Sequence, residues 1–575
     1  MKRKRVLFAG LAAGAVILAM TIPAIAGPVG NQSGFEDDDG NLVVNTTFDW
    51  NGFAPTTWTG TAPTRTSSKI VSGWAFTGLE DAQATTSDSA FAGGTKQDTD
   101  CASVGTGKAP NKDDLKRVYV TSNTVGGDVF LNLAWVRIPQ NTTSPSAHIG
   151  FEFNQGSTAC PAGSDGLVHR TAGDMLIVYD FEGGASDAPA ISLRRWVTSG
   201  SCEVGSNSPP CWGPSTNLTA LGFAEGRVNT STVGPVTDQI APSPPETLNL
   251  NEFGEAGINL TDAGVFPANA CVAFGKTYAV SRSSGNSATA QMKDLVGPGN
   301  INITNCGRVI IRKVTDPSPD PTDTSFGYTT TGGLNPATFS LKNGESRDYG
   351  GNVFAGGYSV TEDDPSPSFA LTGLDCSASS TSHGTTINTD TATRTVSFDL
   401  KPLDTVDCTF TNTLQRGALA ILKNSTKGGR VSTAGAVFSY DGQSVTDNGA
   451  GDNDPDVGEV CVSGLQPGDY TVNETSPPPG YGDASESNLT VTVVVGTNCT
   501  DNQPTGAGVA TFTNAPLYDL QVNFADGGSG ETSADISCSL DPPDSTTPPS
   551  GWDTSSTYTG REAPDTVTCT IEIDP

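Results

Sequence analysis

The sequence predicts an all-β protein made of several sandwiches in series. Three observations lead there. Helical periodicity is scarce, short alternating or apolar runs are bounded by Gly, Pro, Asn, Asp and Thr, and the second half contains an internal repeat. The 575 residues allow roughly three or four domains at about 150 residues each. Gly (67) and Pro (38) make up about 18% of the chain, below the roughly 25–30% of low-complexity chains. The protein is therefore expected to be folded and rich in loops.

In chain order, Lys2-Arg3-Lys4-Arg5 precedes an apolar run from Val6 to Ile22 and then Pro23-Ala24-Ile25-Ala26. A basic start, an apolar stretch and a small-x-small site form an export signal, so residues 1–26 are expected to be removed after Ala26. The run is almost long enough to span a membrane, but Pro23 and the Ala-Ile-Ala site favour cleavage. No later segment resembles a span. The C-terminal Cys569-Thr-Ile-Glu-Ile-Asp-Pro575 has neither a hydrophobic tail nor an LPxTG-like sorting signal. The expectation is an exported chain, secreted or at the cell surface, without a visible anchor.

The net charge is −31 and becomes about −35 once the four basic residues of the leader are gone. Such a surface repels phosphate backbones and anionic lipid, which excludes nucleic acid and membrane surfaces as partners bound by charge. The 12 cysteines all lie after the leader, and an even number in an oxidising compartment favours disulfides. Spacing suggests the local pairs Cys202–Cys211, Cys271–Cys306, Cys376–Cys408, Cys461–Cys499 and Cys538–Cys569, leaving Cys101 with Cys160. Spacing alone leaves other connectivities open. With no CxxC, and with His148, His169 and His383 as the only histidines, a structural zinc site is not expected.

Residues 31–305 read as one large sandwich, jelly-roll-like, with a loop or boundary at Pro242-Ser-Pro-Pro245. Its strand signals include Val118-Tyr-Val120, Val129-Phe-Leu-Asn-Leu-Ala-Trp-Val136, His148-Ile-Gly-Phe-Glu-Phe153, Met175-Leu-Ile-Val-Tyr-Asp180 and Ile191-Ser-Leu-Arg-Arg-Trp196. Spacings of this order suit antiparallel strands rather than βαβ units.

After Cys306 the repeat appears. Gly307-Arg-Val-Ile-Ile-Arg-Lys313 aligns with Gly417-Ala-Leu-Ala-Ile-Leu-Lys423. Gly357-Tyr-Ser-Val-Thr-Glu362 aligns with Asp469-Tyr-Thr-Val-Asn-Glu474, and Thr409-Phe-Thr-Asn412 with Thr511-Phe-Thr-Asn514. These delimit two modules, 307–415 and 416–515. A small C-terminal β domain, 516–575, lacks the Lys, the Glu and the Asn.

Strand side chains alternate faces, so residues of equal parity share one. Lys313 then lies with Val309 and Ile311, Glu362 with Tyr358 and Val360, and Asn412 with Phe410 and Cys408. In the second repeat Lys423 lies with Leu419 and Ile421, Glu474 with Tyr470 and Val472, and Asn514 with Phe512. An amine, an acid and a carboxamide thus point to the apolar side twice. Buried there, a close pair of Lys and Glu can sit as neutral amine and neutral acid. A neutral amine is a nucleophile, and the acid can polarise the Asn carbonyl and shuttle protons. The predicted outcome is a Lys–Asn amide formed once, with loss of ammonia. This is self-modification and not turnover, so the chain is not expected to be an enzyme. Alternatively, the lysines reach water at a strand end, or the three groups form an ordinary hydrogen-bonded network.

These modules resemble the prealbumin-like (Cna B-type, SpaA-type) domains of Gram-positive pilins and adhesins. The resemblance implies seven-stranded Ig-type sandwiches with Lys in the first strand, Asn in the last and Glu between. It assigns Lys313 and Lys423 as nucleophiles, Glu362 and Glu474 as proton shuttles, and Asn412 and Asn514 as acceptors of an isopeptide bond. The second repeat also matches the family's E-box, Tyr470-Thr-Val-Asn-Glu474-Thr-Ser-Pro-Pro-Pro-Gly480-Tyr481. The first reads Asp-Asp-Pro-Ser-Pro after Glu362 and lacks the Gly-Tyr. Upstream, Phe35-Glu-Asp-Asp-Asp-Gly-Asn-Leu-Val-Val-Asn45, Asp49-Trp50, Asn111-Lys-Asp-Asp-Leu115, Gly150-Phe-Glu-Phe153 and Gly173–Asp180 resemble the large front domain of exported actinobacterial proteins with such repeats. That likeness implies architecture and surface location, not an activity.

Weaker signals remain. Asp37-Asp38-Asp39-Gly40-Asn41 and Asp452-Asn-Asp454-Pro-Asp456-Val-Gly-Glu459 offer oxygen ligands of the kind that bind Ca²⁺, although Pro455 departs from an EF-hand and acidic loops are common on so negative a chain. No other cofactor is expected. Trp50, Trp58, Trp74, Trp135, Trp196 and Trp212 all fall in the front region, where they form either core or a sugar-binding platform. No GxSxG, HExxH, P-loop or dinucleotide fingerprint is present, and no spacing singles out a glycosidase carboxylate pair. Two functions fit these features. The first is an adhesin-like structural protein on a stalk of modules, meeting an unidentified extracellular ligand or cell-wall component. The second is an exported carbohydrate-binding (lectin-like) or hydrolytic protein with the repeats as spacers.

Overall fold

Alternating burial along most strands of the two repeats, and continuous burial along the central strands of the front region, divide the chain into sheets of two kinds. In the computed structural model the described residues are 28–83, 88–139, 146–183, 188–205, 207–230, 235–267, 269–285, 287–379, 383–499, 508–525, 533–540, 542–546, 555–562 and 566–574. The expected leader lies outside them. Among the described residues, no helix is long and apolar enough to cross a membrane.

The front region pairs two antiparallel sheets. One has six strands in the order Thr66–Val71, Trp74–Glu80, Leu115–Val125, Asp128–Arg137, Phe253–Asn259 and Ala224–Val228. The other runs Cys211–Trp212, Ala190–Val197, Met175–Phe181, Ala147–Asn154, Ala273–Arg282, Met292–Thr304, Asp88–Phe91 and Val104–Gly107, with Thr216–Asn217 also paired to Ala190–Val197. Val118, Val120, Leu131, Leu133 and Trp135 of the first sheet meet Ile149, Phe151, Phe153, Ile177 and Tyr179 of the second in one core. A second cluster, with Phe35, Trp50, Phe53, Trp74, Phe76, Tyr119 and Phe130, covers the other face of the six-stranded sheet. That double cover explains why Leu115–Val125 is buried at all but its last residue and reads as a run rather than an alternation. The Pro-rich stretch is a loop inside this region. It joins Val236–Asp238 to Glu246–Leu248, and Asp238 Oδ1 accepts the Ile240 and Ala241 N–H groups.

In the second repeat, Glu459–Leu465, Gly417–Ser425 and Val509–Asn514 form one sheet; Gln443–Thr446, Val437–Tyr440, Gly468–Ser476 and Leu489–Val493 form the other. Leu419, Ile421, Phe438, Val472 and Phe512 pack between them. These are seven strands, as the resemblance implies. The first repeat departs from that number. It keeps the counterparts Ser346–Asp348, Cys306–Asp316 and Thr405–Leu414, and Thr338–Leu341, Phe326–Thr331, Gly356–Glu362 and Thr395–Leu400, but adds Val353–Phe354, Phe369–Ala378 and Thr386–Asp390. The last two are an insertion directly after Glu362, which places Phe369–Ala378 beside the final strand.

In both repeats the first and last strands are adjacent and parallel. Lys313 lies opposite Phe410 and Thr315 opposite Asn412; Lys423 lies opposite Phe512 and Ser425 opposite Asn514. The C-terminal segment forms a sheet of Leu517–Asn523, Ser555–Glu562 and Ser545–Thr546 and a pair of Ser533–Cys538 with Cys569–Asp574. Six disulfides join Cys101 to Cys160, Cys202 to Cys211, Cys271 to Cys306, Cys376 to Cys408, Cys461 to Cys499 and Cys538 to Cys569.

Candidate functional site

The two parallel strand pairs bring a lysine and an asparagine onto one buried face at a diagonal offset of two residues. Val309, Ile311 and Lys313 are all 0% exposed, so the amine enters the core on the same side as its apolar neighbours. Lys313 Nζ lies 2.7 Å from Glu362 Oε1, which also accepts the Tyr328 hydroxyl at 3.1 Å. The Phe326 ring centroid is 4.1 Å from Nζ. Asn412 is 0% exposed, and its Oδ1 and Nδ2, like Glu362 Oε2, are buried without a hydrogen-bond partner.

The second site holds its carboxamide by hydrogen bonds. Lys423 Nζ stands 2.5 Å from Glu474 Oε1, close but out of line for a hydrogen bond. Glu474 Oε2 accepts Asn514 Nδ2 at 2.8 Å and the Ala484 N–H at 3.0 Å. Asn514 Nδ2 also donates to the Gly482 carbonyl at 2.7 Å, leaving Asn514 Oδ1 buried and unpartnered. The acid therefore stands between amine and carboxamide. Phe438 and Phe512 flank the amine, with centroids 5.8 and 5.6 Å from Nζ.

Burial disfavours the charged amine at both sites. It lowers Lys313 from 10.5 to about 8, against the opposing charge and hydrogen bond of Glu362. Burial lowers Lys423 as well, against the opposing charge of Glu474. A lowered amine pKa raises the fraction of nucleophile, and an orphaned carboxamide in a dry core costs free energy until something satisfies it. The arrangement suits an amine attacking a carboxamide carbon.

Sequence reasoning missed three contributors. Tyr328 lies on the inward parity of Phe326–Thr331, a signal available in Phe326-Gly-Tyr328. The Gly482 carbonyl comes just after the Gly480-Tyr481 of the E-box, and the Tyr481 hydroxyl accepts the Ser432 N–H at 3.1 Å, which secures that loop. Asp447, whose carboxylate burial pushes up to about 6, accepts the Gly458 N–H and is a further acid near Lys423.

Other sequence candidates separate. Trp50, Trp74, Trp135, Trp196 and Trp212 are buried, and Trp58 is half-buried against the same core. The indoles are therefore core and form no exposed sugar platform; apolar packing has claimed their faces. Of the acidic stretch at 37–41, Asp37 is buried with neither carboxylate oxygen partnered, while Asp39 gathers with Glu36 and Asp49. In the later loop Asp454, Asp456 and Glu459 gather, whereas Asp452 caps the backbone N–H groups of Asn448, Asp454 and Cys461. The three histidines pair with separate carboxylates, Asp180, Asp100 and Asp404.

Residues 309–414 and 417–504 each match a family model of the SpaA type described as a prealbumin-like fold domain. No curated protein matches the chain. Among solved structures, the chain is similar to the Bacillus anthracis TIE protein at 12% identity, covering 79% of this chain and 67% of that one with a TM-score of 0.28. It is similar to a C-terminal fragment of the pilus adhesin SpaC from Lactobacillus rhamnosus GG at 13% identity, 37% and 98% coverage and a TM-score of 0.24. A third is a Mobiluncus mulieris adhesin containing intramolecular disulfide, isopeptide and ester bond cross-links, at 12% identity, 52% and 91% coverage and a TM-score of 0.20. Behind a larger β-sandwich, this chain carries two SpaA-type prealbumin-like domains in tandem.

Proposed function

We propose that the chain is an exported structural, adhesin-like protein whose prealbumin-like domains form a stalk, each tied by a self-formed Lys–Asn isopeptide bond. The observation that carries the reading is a repeated buried trio: Lys313 and Asn412, then Lys423 and Asn514, stand at one register on adjacent parallel strands, and Glu362 and Glu474 reach the two lysines from the facing sheet. In the reaction the carboxylate takes a proton from the ammonium, and the neutral Nζ attacks Cγ of the asparagine. The Nζ–Cγ bond replaces the Cγ–Nδ2 bond, and the departing nitrogen takes one amine hydrogen and leaves as ammonia. The proton first taken stays on the acid.

A bond between the first and last strands closes a loop of about 90–100 residues, worth about 4–5 kcal/mol if the disulfide chain-entropy relation transfers. Pulling on the chain then loads the bond and leaves the residues between unextended. The six disulfides, joined in an oxidising compartment, act in the same direction and support an extracellular or cell-surface setting. The front sandwich is the part free to meet an extracellular ligand or wall component. Intact mass of the reduced protein tests the bonds, since each removes one ammonia.

A further inference from the structure

Apart from the two lysine sites, the front sandwich holds an acidic centre where its two sheets meet. Asp81 comes directly after the strand Trp74–Glu80 of the six-stranded sheet. Asp88 opens the strand Asp88–Phe91, and Asp294 sits in Met292–Thr304 opposite Ala90. The three are 3%, 0% and 0% exposed, and one carboxylate oxygen of each lies within 4.8 Å of the other two. Asp88 gives its oxygens to the Ser89 and Ala109 N–H groups. Asp294 turns Oδ2 to the Leu115 N–H at 2.7 Å and leaves Oδ1 buried without a partner; Asp81 Oδ2 is likewise buried without one.

We propose that Asp81, Asp88 and Asp294 bind one Ca²⁺ ion that clips the two sheets of the front sandwich together. Two unpartnered carboxylate oxygens in a dry space cost free energy that an ordinary core would not retain. The charges acting most strongly on Asp294 are those of Asp81, Asp88 and the neighbouring buried Asp114, those acting on Asp81 are Asp88 and Asp114, and no cationic side chain stands among these leading influences. A divalent cation removes both penalties together. An all-carboxylate donor set suits a hard ion. Oxygens within 4.8 Å of one another fit around a centre with bond lengths of about 2.3–2.6 Å. The depth of the site favours Ca²⁺ over Mg²⁺, which gives up its water reluctantly.

The test is Ca²⁺ equilibrium dialysis and thermal unfolding of the full-length protein, parent against Asp294→Asn. The carboxamide keeps an acceptor for the Leu115 N–H and relieves the repulsion, so the variant is expected to fold without Ca²⁺ at least as well as the parent. The expected result is one fewer Ca²⁺ bound by the variant and loss of the calcium-dependent rise in melting temperature that the parent shows and a chelator reverses. Asp88→Asn, tested in the same way, covers the case in which Asp294→Asn does not fold. The stoichiometric difference separates this site from the acidic loops at 36–49 and 452–459. Equal binding and an equal melting shift in parent and variant overturn the proposal, as does a parent that binds no Ca²⁺.

Discussion

Asn412 and Asn514 occupy the same place in their domains, two residues beyond the partner of the buried lysine, yet only Asn514 has its amide held. The difference traces to the segment after the acid. In the second domain the chain turns through Pro477–Tyr481 and returns the Gly482 carbonyl to Asn514 Nδ2. In the first it runs into the inserted strand Phe369–Ala378, which pairs with the backbone of the last strand and supplies no such carbonyl. Both lysines meet their acids, but the second carboxamide is already oriented.

Glu474→Gln tests whether the acid moves protons or merely fills space. Glutamine keeps the shape and can still accept from Asn514, but it cannot take the lysine proton. The variant is expected to fold and to retain the ammonia of the second domain by intact mass, with the first domain unaffected. Loss of ammonia in the variant would show that the acid is dispensable.

Lys423→Ala should open the second domain to force. Under reducing conditions, pulling the parent should release no length between Lys423 and Asn514. The variant should release roughly 300 Å, because about 90 residues extend by about 3.4 Å each. Single-molecule force spectroscopy reads the difference, and the variant should also lose about 4–5 kcal/mol of stability on the loop-entropy relation.

In Asn412→Ala, Lys313 remains a free amine, and its burial becomes visible as pH dependence. Its folded value of about 8 lies below the ordinary 10.5, so between these the unfolded chain binds more protons than the folded one. Stability must therefore rise as the pH climbs from about 8 towards 10.5 and be insensitive to this group below that window. Urea midpoints across the range check it, with Lys313→Met in the same background as the control. Equal slopes in the two proteins contradict the assignment.

Tyr328→Phe removes a hydroxyl that donates to Glu362 Oε1 while keeping the ring that stacks on Phe339 at 4.9 Å. In the Asn412→Ala background it is expected to cost about 1.5–3 kcal/mol, the range for a hydrogen bond to a charged group, measured by urea unfolding.

Much of the lysine site was legible because strand parity needs no partner. Val309, Ile311 and Lys313 share a face by counting alone, and so do Phe512 and Asn514. Counting does not supply which strands become neighbours. The parallel pairing of the first strand with the last is not readable from periodicity and is seen only in the fold. The insertion after Glu362 was visible only as a missing Gly-Tyr, and its strands lack a strong apolar signal because Phe369–Ala378 is mostly half-buried. In the front region, runs such as Val129–Val136 announced strands. They did not reveal that the six-stranded sheet is covered on both faces, so the tryptophans kept two readings until burial decided between them. Asp81, Asp88 and Asp294 lie too far apart in sequence for any spacing rule to join them.

The most direct measurement is intact mass of the purified protein after reduction of its disulfides. The account predicts a mass lower than that of the same chain without crosslinks by two ammonias, one restored by Lys313→Ala and the other by Lys423→Ala. An unmodified mass for the parent would contradict it and leave the two trios as buried hydrogen-bonded networks.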